Sequence, residues 1–180
     1  MGIRLFIKDL QFASSSVGFL PNLKWFLFNH ASHMLLLFRI GQDLRTIPVL
    51  GKVLGFIIEY LIRILFASDI SCHARIGAGF VIVHGHDIVI GADVVIGERC
   101  KIFNGVTLGN KDTTQTSHGN QPHLGNDVLV STGAKILGPV KVGDHVVIGA
   151  NSVVIKDCRS HTVVAGVPAR VVKDLQRAAV

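Results

Sequence analysis

The sequence of 180 residues predicts a mainly β protein, in which a parallel β-solenoid follows an α-helical N-terminal segment. Two observations predict this fold. From Asp69 onward, aliphatic residues recur every six positions, which favours short strands stacked in coils. Before Asp69, apolar stretches carry charges on one helical face, which favours amphipathic helices. We therefore divide the chain into a helical segment (1–68), a solenoid (69–172) and a C-terminal tail (173–180).

The helical segment is apolar and mildly basic. Its longest apolar stretches are Trp25–Phe38, which one Asn and two His interrupt, and Val53–Ala67. Lys52, Glu59 and Arg63 lie on one face of the second predicted helix, at positions i, i+7 and i+11. Neither stretch supplies the roughly 20 apolar residues of a membrane span, and the first residues lack the features of a signal peptide. We expect these helices to pack against their own subunit or a neighbouring one, with contact to a membrane surface as the alternative.

Composition and charge exclude several classes of protein. Hydrophobic residues make up 49% of the chain, and 5 residues are Pro, so a disordered, collagen-like or linker protein is excluded. The net charge is +6, but no Lys/Arg cluster or interleaved aromatic platform indicates nucleic-acid binding. Cys72, Cys100 and Cys158 are far apart and form no CxxC motif. We therefore expect neither a disulfide framework nor a Cys-rich zinc site, and we assign the chain to a reducing compartment, the cytoplasm.

The period of six distinguishes strands from helices. A helix of 3.6 residues per turn would spread the aliphatic residues around its surface, whereas six is a multiple of the two-residue period of a strand. The residue after the aliphatic position is often Gly, which would give the backbone freedom to turn a corner. Since one hexad cannot bury its single aliphatic side chain, hexads must stack. The in-phase aliphatic residues are Ile70, Ile76, Ile82, Ile90, Ile96, Ile102, Leu108, Leu124, Val130, Ile136, Val142, Ile148 and Val154.

Two interruptions of the repeat indicate where a functional site lies. The first is the short segment Val83–Asp87, which contains His84 and His86, and the second is the insertion Asn110–Gln121. Interruptions of a solenoid project as loops, and a rigid scaffold that carries irregular loops is a common arrangement for a site. His84 is the best single candidate for a catalytic base, because neutral imidazole can accept a proton near neutral pH.

Several stretches of the solenoid carry a family resemblance. They are Asp69–Gly77 (DISCHARIG), Val106–Gly109 (VTLG), Gly133–Gly138 (GAKILG), Ile148–Val154 (IGANSVV) and Ala165–Val172 (AGVPARVV). The repeat resembles that of the hexapeptide-repeat acyltransferases, and about three-fifths of the chain is more narrowly similar to the serine acetyltransferases. This resemblance implies a left-handed parallel β-helix with three hexads per coil, acetyl-CoA as co-substrate, no metal, and a homotrimer or a dimer of trimers.

The resemblance also implies roles for Asp69 and His84. In the serine acetyltransferases the general base is a His in the corresponding loop, fifteen residues after an Asp, and Asp69 and His84 have that separation. Asp69 would orient His84 and stabilise its imidazolium form while the acetyl group passes directly to a hydroxyl.

Departures from the family pattern predict the acceptor. Val83 replaces the Asp that precedes the catalytic His in these enzymes, and Asn120 and Gln121 replace an Arg-His pair. Both anchors for a free amino acid are missing, since a carboxylate prefers a guanidinium and an ammonium prefers a carboxylate. In these departures the chain resembles the related polysaccharide O-acetyltransferases, which implies a sugar of a surface polysaccharide or its precursor as acceptor, acetylated at the inner face of the cytoplasmic membrane, with L-serine as the alternative. The residues expected to contact the acceptor are His86, Asp87, Asn120, Gln121 and His123.

The later coils are expected to bind acetyl-CoA. Small side chains would let the thin pantetheine arm approach the backbone, and cations would bind its phosphates. The residues expected to contact CoA are Asn104, Gly109, Gly133, Ala134, Lys135, Ala150, Lys156, Gly166, Arg170 and Lys173.

The sequence leaves three alternatives open: another enzyme activity, another mechanism and a role without catalysis. A zinc-dependent lyase of the gamma-carbonic-anhydrase type would use His84 and His86, completed by His118 or His123, but no third ligand has a recognisable spacing. A covalent cysteine mechanism lacks a base next to any of the cysteines. A non-catalytic rigid spacer is the third alternative.

Overall fold

A computed structural model describes residues 2–175, in which four helices precede the strands. The helices are α1 (Gly2–Ser14), α2 (Phe19–Phe28), α3 (His30–Leu44) and α4 (Leu50–Phe66). Helix α3 lies at the centre of this layer, because it packs against α1, α2 and α4. Between residues 2 and 175, no helix is long and apolar enough to cross a membrane. The predicted helical N-terminal segment is confirmed.

The strands that follow form three sheets. Sheet 1 contains β1, β4, β7, β10 and β13, sheet 2 contains β2, β5, β8 and β11, and sheet 3 contains β3, β6, β9, β12, β14 and β15. From β1 to β13, consecutive strands therefore fall on the three sheets in turn, and the chain winds as a parallel β-helix with three faces. The strands are β1 (Asp69–Ile70), β2 (Arg75–Ile76), β3 (Val81–Ile82), β4 (Val89–Ile90), β5 (Val95–Ile96), β6 (Lys101–Ile102), β7 (Thr107–Gly109), β8 (His123–Leu124), β9 (Leu129–Val130), β10 (Lys135–Leu137), β11 (Lys141–Val142), β12 (Val147–Ile148), β13 (Val153–Val154), β14 (Thr162–Gly166) and β15 (Ala169–Asp174).

The predicted repeat fills the interior of the β-helix. Every in-phase aliphatic residue, from Ile70 to Val154, is buried. Within the regular coils, the residues four positions after them are buried too, which includes the small Ala74, Cys100 and Ser152. Burial of one aliphatic side chain contributes about 1.5–3 kcal/mol, so this continuous column supplies most of the driving force for coiling. The solenoid prediction is confirmed.

The glycines that follow the aliphatic positions serve a purpose other than the one predicted. Those at Gly77 and Gly125 do not have positive φ, and positive φ occurs instead at non-glycine corner residues such as Arg99 and Asp127. A Cβ added at Gly77 would lie 2.7 Å from the carbonyl of Gly97 in the next coil. These positions require Gly because adjacent coils approach closely, and not because the corner needs unusual backbone freedom.

The two interruptions of the repeat lengthen two coils. Strands β4 and β7 pair with an offset of 18 residues, whereas β1 and β4 are offset by 20 and β7 and β10 by 28. The additional residues leave the β-helix as the loop 83–88, between β3 and β4, and the loop 110–122, between β7 and β8. Both loops project from the regular scaffold as predicted.

A buried ion pair joins the helical layer to the first coil. Asp9 of α1 and Arg39 of α3 are 1% and 0% exposed, and Arg39 Nε donates to Asp9 Oδ2 at 3.0 Å. Arg39 also donates to the carbonyl oxygens of Ile76 and Gly77, each at 2.8 Å. Asp9 Oδ1 accepts from Phe80 N at 2.9 Å. The pair therefore connects two helices and the β-helix through one network.

Large apolar side chains of α2 and α4 are exposed in the single chain. Helix α2 has no buried residue, and its Phe19 and Phe28 are 76% and 82% exposed. Helix α4 buries Ile58 and Ile62 on one face, while Phe56 and other apolar residues of the opposite face are exposed. The expected packing within the subunit is thus found for one face of α4 only.

The C-terminal end of the β-helix is closed by a hairpin. Strand β15 pairs antiparallel with β14, unlike the parallel strands before it. Because β15 continues to Asp174, the predicted tail (173–180) starts inside a strand. Residues 176–180 of that tail lie outside the described residues.

Candidate active site

His84 lies at the corner of the β-helix between sheets 3 and 1, here called the His84 corner and comprising residues 83–88 and the turns beside them in later coils. Backbone hydrogen bonds connect this corner from coil to coil. Gly105 N donates to His86 O at 3.3 Å, and Gly133 N donates to Asn104 O at 2.9 Å. The structure thus brings His86, Asn104 and Gly133 into one column with the His84 loop.

The exposed ring of His84 lines a cavity between this corner and the helical layer, here called the His84 pocket. The cavity has a volume of about 480 Å³. The ring meets Phe103 of the next coil edge-on, with the two centroids 6.2 Å apart. Helix α2 and the start of α3 form the opposite wall. The lining residues are Ser14, Pro21, Lys24, Trp25, Phe28, Asn29, His30, Val83 and His84.

Asp69 lies beside the same corner, at the start of β1, but its carboxylate has a different partner from the predicted one. Arg63 Nη2 of α4 is 2.9 Å from Asp69 Oδ1, and both side chains are about half exposed. Over residues 2–175, no hydrogen bond joins Asp69 to the ring of His84. The predicted dyad is therefore not assembled in this conformation, because α4 ends just before β1 and brings a guanidinium to the carboxylate first.

His86 and Asp87 are exposed on the loop 83–88 and do not line the His84 pocket. Asp87 has a φ of 55°, and its N–H donates to Ala67 O at 3.1 Å. This bond ties the loop to the end of α4. The two residues remain candidates for an acceptor that approaches from solvent or from a neighbouring subunit.

The long loop is held in place by its own side chains and by Asp93 of the preceding coil. Gly119 N donates to Asp93 Oδ2 at 2.8 Å, and this bond lowers the pKa of the Asp93 carboxyl. Gln121 is buried, its Oε1 accepts from Asp93 N at 2.8 Å, and its Nε2 donates to Asn110 Oδ1 at 2.8 Å. The amide nitrogen of Asn120 donates to two backbone carbonyls of the loop. Gln121 therefore holds the loop through its amide group, and its contact with an acceptor stays a prediction.

The long loop and His84 lie at different corners of one chain. The loop 110–122 leaves between sheets 1 and 2, so the width of sheet 1 separates it from the His84 corner. His123 is exposed on β8 of sheet 2. The predicted acceptor residues are therefore not brought together within one subunit, and a site that uses all of them needs the loop of a neighbouring subunit.

The predicted CoA contacts near the His84 corner divide into accessible and buried residues. Asn104 and Gly133 are partly exposed, and Ala150 of the fourth coil is exposed at the same corner. Ala134 is buried, and its N–H and C=O are bonded to other backbone groups. The side chain of Ala134 thus faces the core and its backbone groups hold the coils together, so its contact with CoA stays a prediction. Lys135 Nζ donates to Gly105 O and to Thr107 Oγ1, so it is already engaged.

Of the other predicted CoA contacts, Gly109 and Lys156 lie away from this column. Gly109 ends β7 and is buried, and Lys156 is exposed beyond β13 at the corner between sheets 1 and 2. Gly166 ends β14 and continues the column beyond Ala150, because Ile148 pairs with Val164 and Gly166 N donates to Ser152 Oγ at 3.1 Å. Arg170 and Lys173 are exposed on the adjoining strand β15 of the terminal hairpin.

Known proteins share both the repeat and the complete fold. Residues 121–156 match the family model described as bacterial transferase hexapeptide (six repeats). The serine acetyltransferase of Synechococcus elongatus is 41% identical over 128 residues, which cover 71% of this chain and 50% of that protein. A solved serine acetyltransferase in complex with cysteine has a TM-score of 0.87 at 32% identity, over 98% of this chain and 68% of that chain. The chain belongs to the serine acetyltransferase family.

A second solved serine acetyltransferase, in complex with CoA, has a TM-score of 0.82 at 32% identity, over 95% of this chain and 69% of that chain. The family resemblance and the left-handed parallel β-helix expected from the sequence are both confirmed. The chain spans about half the length of the Synechococcus serine acetyltransferase.

The sequence did not predict that residues of the helical segment line the His84 pocket of this serine acetyltransferase family member. Lys24, Trp25 and His30 come from the helical segment, which the sequence assigned to subunit or membrane contact. The available signal was the interruption of the apolar stretch Trp25–Phe38 by polar residues. Their position across from His84 depends on helix packing, which this interruption does not specify.

The structure of this serine acetyltransferase family member gives no support to a covalent cysteine mechanism or to a zinc-dependent lyase. Burial raises the pKa of the Cys72 thiol to about 12 and that of Cys100 to about 11, and it also raises the pKa of Cys158. A thiol with a raised pKa is a poor nucleophile near neutral pH. No group of three or more His, Cys, Asp or Glu side chains that could hold a metal ion occurs in the described part of the chain.

Proposed function

We propose that this protein is an acetyl-CoA-dependent O-acetyltransferase in which His84 is the general base. The observation that supports this most directly is the exposed imidazole of His84, which lines a cavity at a corner of a serine acetyltransferase fold. The complex of a related serine acetyltransferase with CoA supports the choice of donor. In this chain Asn104, Gly133 and Ala150 offer an accessible column of small or polar residues beside His84 for the pantetheine arm.

The proposed step is a direct transfer. The acceptor oxygen forms a bond to the acetyl carbon while the carbon–sulfur bond breaks, and the hydroxyl proton passes to a ring nitrogen of His84 and then to the leaving sulfur. No acyl-enzyme is required. Asp69 is kept as the orienting carboxylate, which requires its side chain to exchange Arg63 for the His84 ring when substrates bind.

L-serine is proposed as the first acceptor, and a sugar hydroxyl as the second. The related proteins are serine acetyltransferases, so the comparisons support the serine alternative better than the polysaccharide sugar that the sequence favoured. The sugar retains one specific argument, since no carboxylate lines the His84 pocket and Val83 precedes His84. An ammonium group would find no counter-charge there.

Release of free thiol from acetyl-CoA by the full chain is expected to become saturable when the correct acceptor is added. The assay compares L-serine with a panel of sugars and nucleotide-sugars at equal concentration. Saturable release with serine supports serine O-acetylation, and saturable release with a sugar only supports the second candidate. If no acceptor accelerates thiol release, the proposed function is contradicted.

We also propose that the chain works as a homotrimer, with the apolar faces of α2 and α4 covered by neighbouring subunits. Two observations support this: the long loop and His84 lie at different corners of one chain, and Phe19, Phe28 and Phe56 are exposed. Light scattering is expected to give a mass three times that of the 19.4 kDa chain, or six times for a dimer of trimers. A single-chain mass would contradict the proposal, and flotation with anionic vesicles would assign these faces to a membrane surface instead.

A cytoplasmic location is proposed because Cys72, Cys100 and Cys158 are free.

A further inference from the structure

The His84 pocket contains one permanent positive charge and no negative one. Lys24 is exposed on α2, and within residues 2–175 it has no ion-pair partner. The other ionisable groups that line the cavity are the imidazoles of His30 and His84. No Asp or Glu is among the residues that line it. An unpaired ammonium group beside a candidate base indicates a ligand with negative charge.

Helix packing directs Lys24 toward this cavity. Residues 21, 24, 25 and 28 of α2 line the pocket, and this spacing places them on one helical face. The opposite face of α2 is held by Phe26, whose ring meets Phe6 edge-on at 6.0 Å and His33 at 4.8 Å. Because Phe26 anchors α2 to α1 and α3, Lys24 stays on the side of His84.

Apolar surfaces in the pocket complete a site for a small organic acid. Trp25, Phe28 and Pro21 offer flat apolar surfaces next to Lys24. His30 lies nearly parallel to Phe66 of α4, with the ring centroids 6.2 Å apart and the planes inclined by 12°. A hydroxyl-bearing acid could therefore place its carbon skeleton on the aromatic rings and its carboxylate at Lys24.

We infer that Lys24 is a specificity-determining residue that binds a carboxylate of the acceptor, while His84 receives the proton of its hydroxyl. This inference rests on the proposed function. In this arrangement Lys24 of helix α2 supplies the cation that Asn120 and Gln121 lack in place of the Arg-His pair. Two sources share the required chemistry, an amino acid such as L-serine and an acidic sugar.

Fluorescence of Trp25, which is the single tryptophan of the chain and lines the pocket, provides a direct measurement of binding. L-serine, D-glucuronate and neutral D-glucose are titrated into the full chain, without acetyl-CoA. At least one of the two acids is expected to change the fluorescence saturably. Substitution Lys24→Gln should raise its dissociation constant about five- to tenfold, while Lys24→Arg should retain binding. The matched control is Lys52→Gln, which removes an exposed charge on α4 outside the pocket.

The outcomes separate this inference from the proposed function. Binding of serine or of glucuronate that depends on Lys24 supports the inference and identifies the source of the carboxylate. Three results would overturn it. The first is equal binding of glucose and glucuronate with no effect of serine, and the second is no response to either acid. The third is an equal effect of Lys24→Gln and Lys52→Gln on the dissociation constant. Acid binding that depends on Lys24 without any acetyl transfer would contradict the proposed function and leave the carboxylate site standing.

Discussion

His84→Ala is expected to lower the rate of acetyl-CoA-dependent transfer by about 100-fold or more, because the acceptor hydroxyl would lose its general base. The rate is measured as acceptor-dependent release of free thiol. The Michaelis constant for acetyl-CoA should change little, since the ring of His84 faces the pocket wall formed by α2 and α3. A selective loss of turnover would distinguish a catalytic role from a binding role.

His145→Ala is the matched control for this experiment. His145 is a half-exposed histidine stacked on His161 at 4.6 Å, and it does not line the His84 pocket. Its substitution should leave turnover unchanged. If His84→Ala retained the turnover of the His145→Ala control, His84 would be removed from the mechanism.

Asp9→Ala is expected to destabilise the fold by about 3–5 kcal/mol, because it leaves the buried guanidinium of Arg39 without its counter-charge. The loss would also leave the N–H of Phe80 without its acceptor. Urea unfolding of the full chain measures the change in the free energy of unfolding. Since the pair connects α1 and α3 to the first coil, the helical layer should separate from the β-helix at lower urea than in the unsubstituted protein.

Asp127→Asn is the control for a carboxylate in an exposed ion pair. Asp127 accepts from Arg99 at 2.8 Å near the surface, where water screens the charges, so its loss should cost far less than that of Asp9. A double variant, Asp9→Ala with Arg39→Met, should be less destabilised than the sum of the two single variants, because no unpaired charge remains. Equal losses for Asp9→Ala and Asp127→Asn would show that the buried pair does not hold the two layers together.

The hexad pattern was sufficient to predict a parallel β-solenoid and the positions of its strands, whereas the hand and the three hexads per coil came from the family resemblance. The strands from β1 to β13 are only two or three residues long, so the position of each strand follows from the local sequence. The aliphatic residues from Ile70 to Val154 are buried as expected. The loops 83–88 and 110–122 were also predictable, because they interrupt a regular count. The role of Gly77 was misjudged, since its close contact is with the next coil and not with its own turn.

The candidate site was predictable only in part. His84 could be proposed from its loop and from the fifteen-residue spacing to Asp69, but the spacing does not show that Arg63 takes the Asp69 carboxylate. The burial of Gln121 was equally hidden, because its partner Asp93 lies in another coil. The acceptor preference drawn from Val83, Asn120 and Gln121 identified missing anchors, but it did not reveal that Lys24 of α2 lines the His84 pocket.

The amino-acid sequence by itself determined that residues from Asp69 onward coil as stacked hexads, that helices precede them, and that His84 stands on a loop at a corner. These features follow from a pattern that repeats within six residues, and burial of each aliphatic side chain reinforces the same choice in every coil. The tertiary structure alone decided that α2 faces His84, that Asp9 and Arg39 join the two layers, and that the long loop lies at another corner. Those contacts connect residues 28 to 71 positions apart in sequence, and their energies come from shape and charge that become complementary only when the elements pack together.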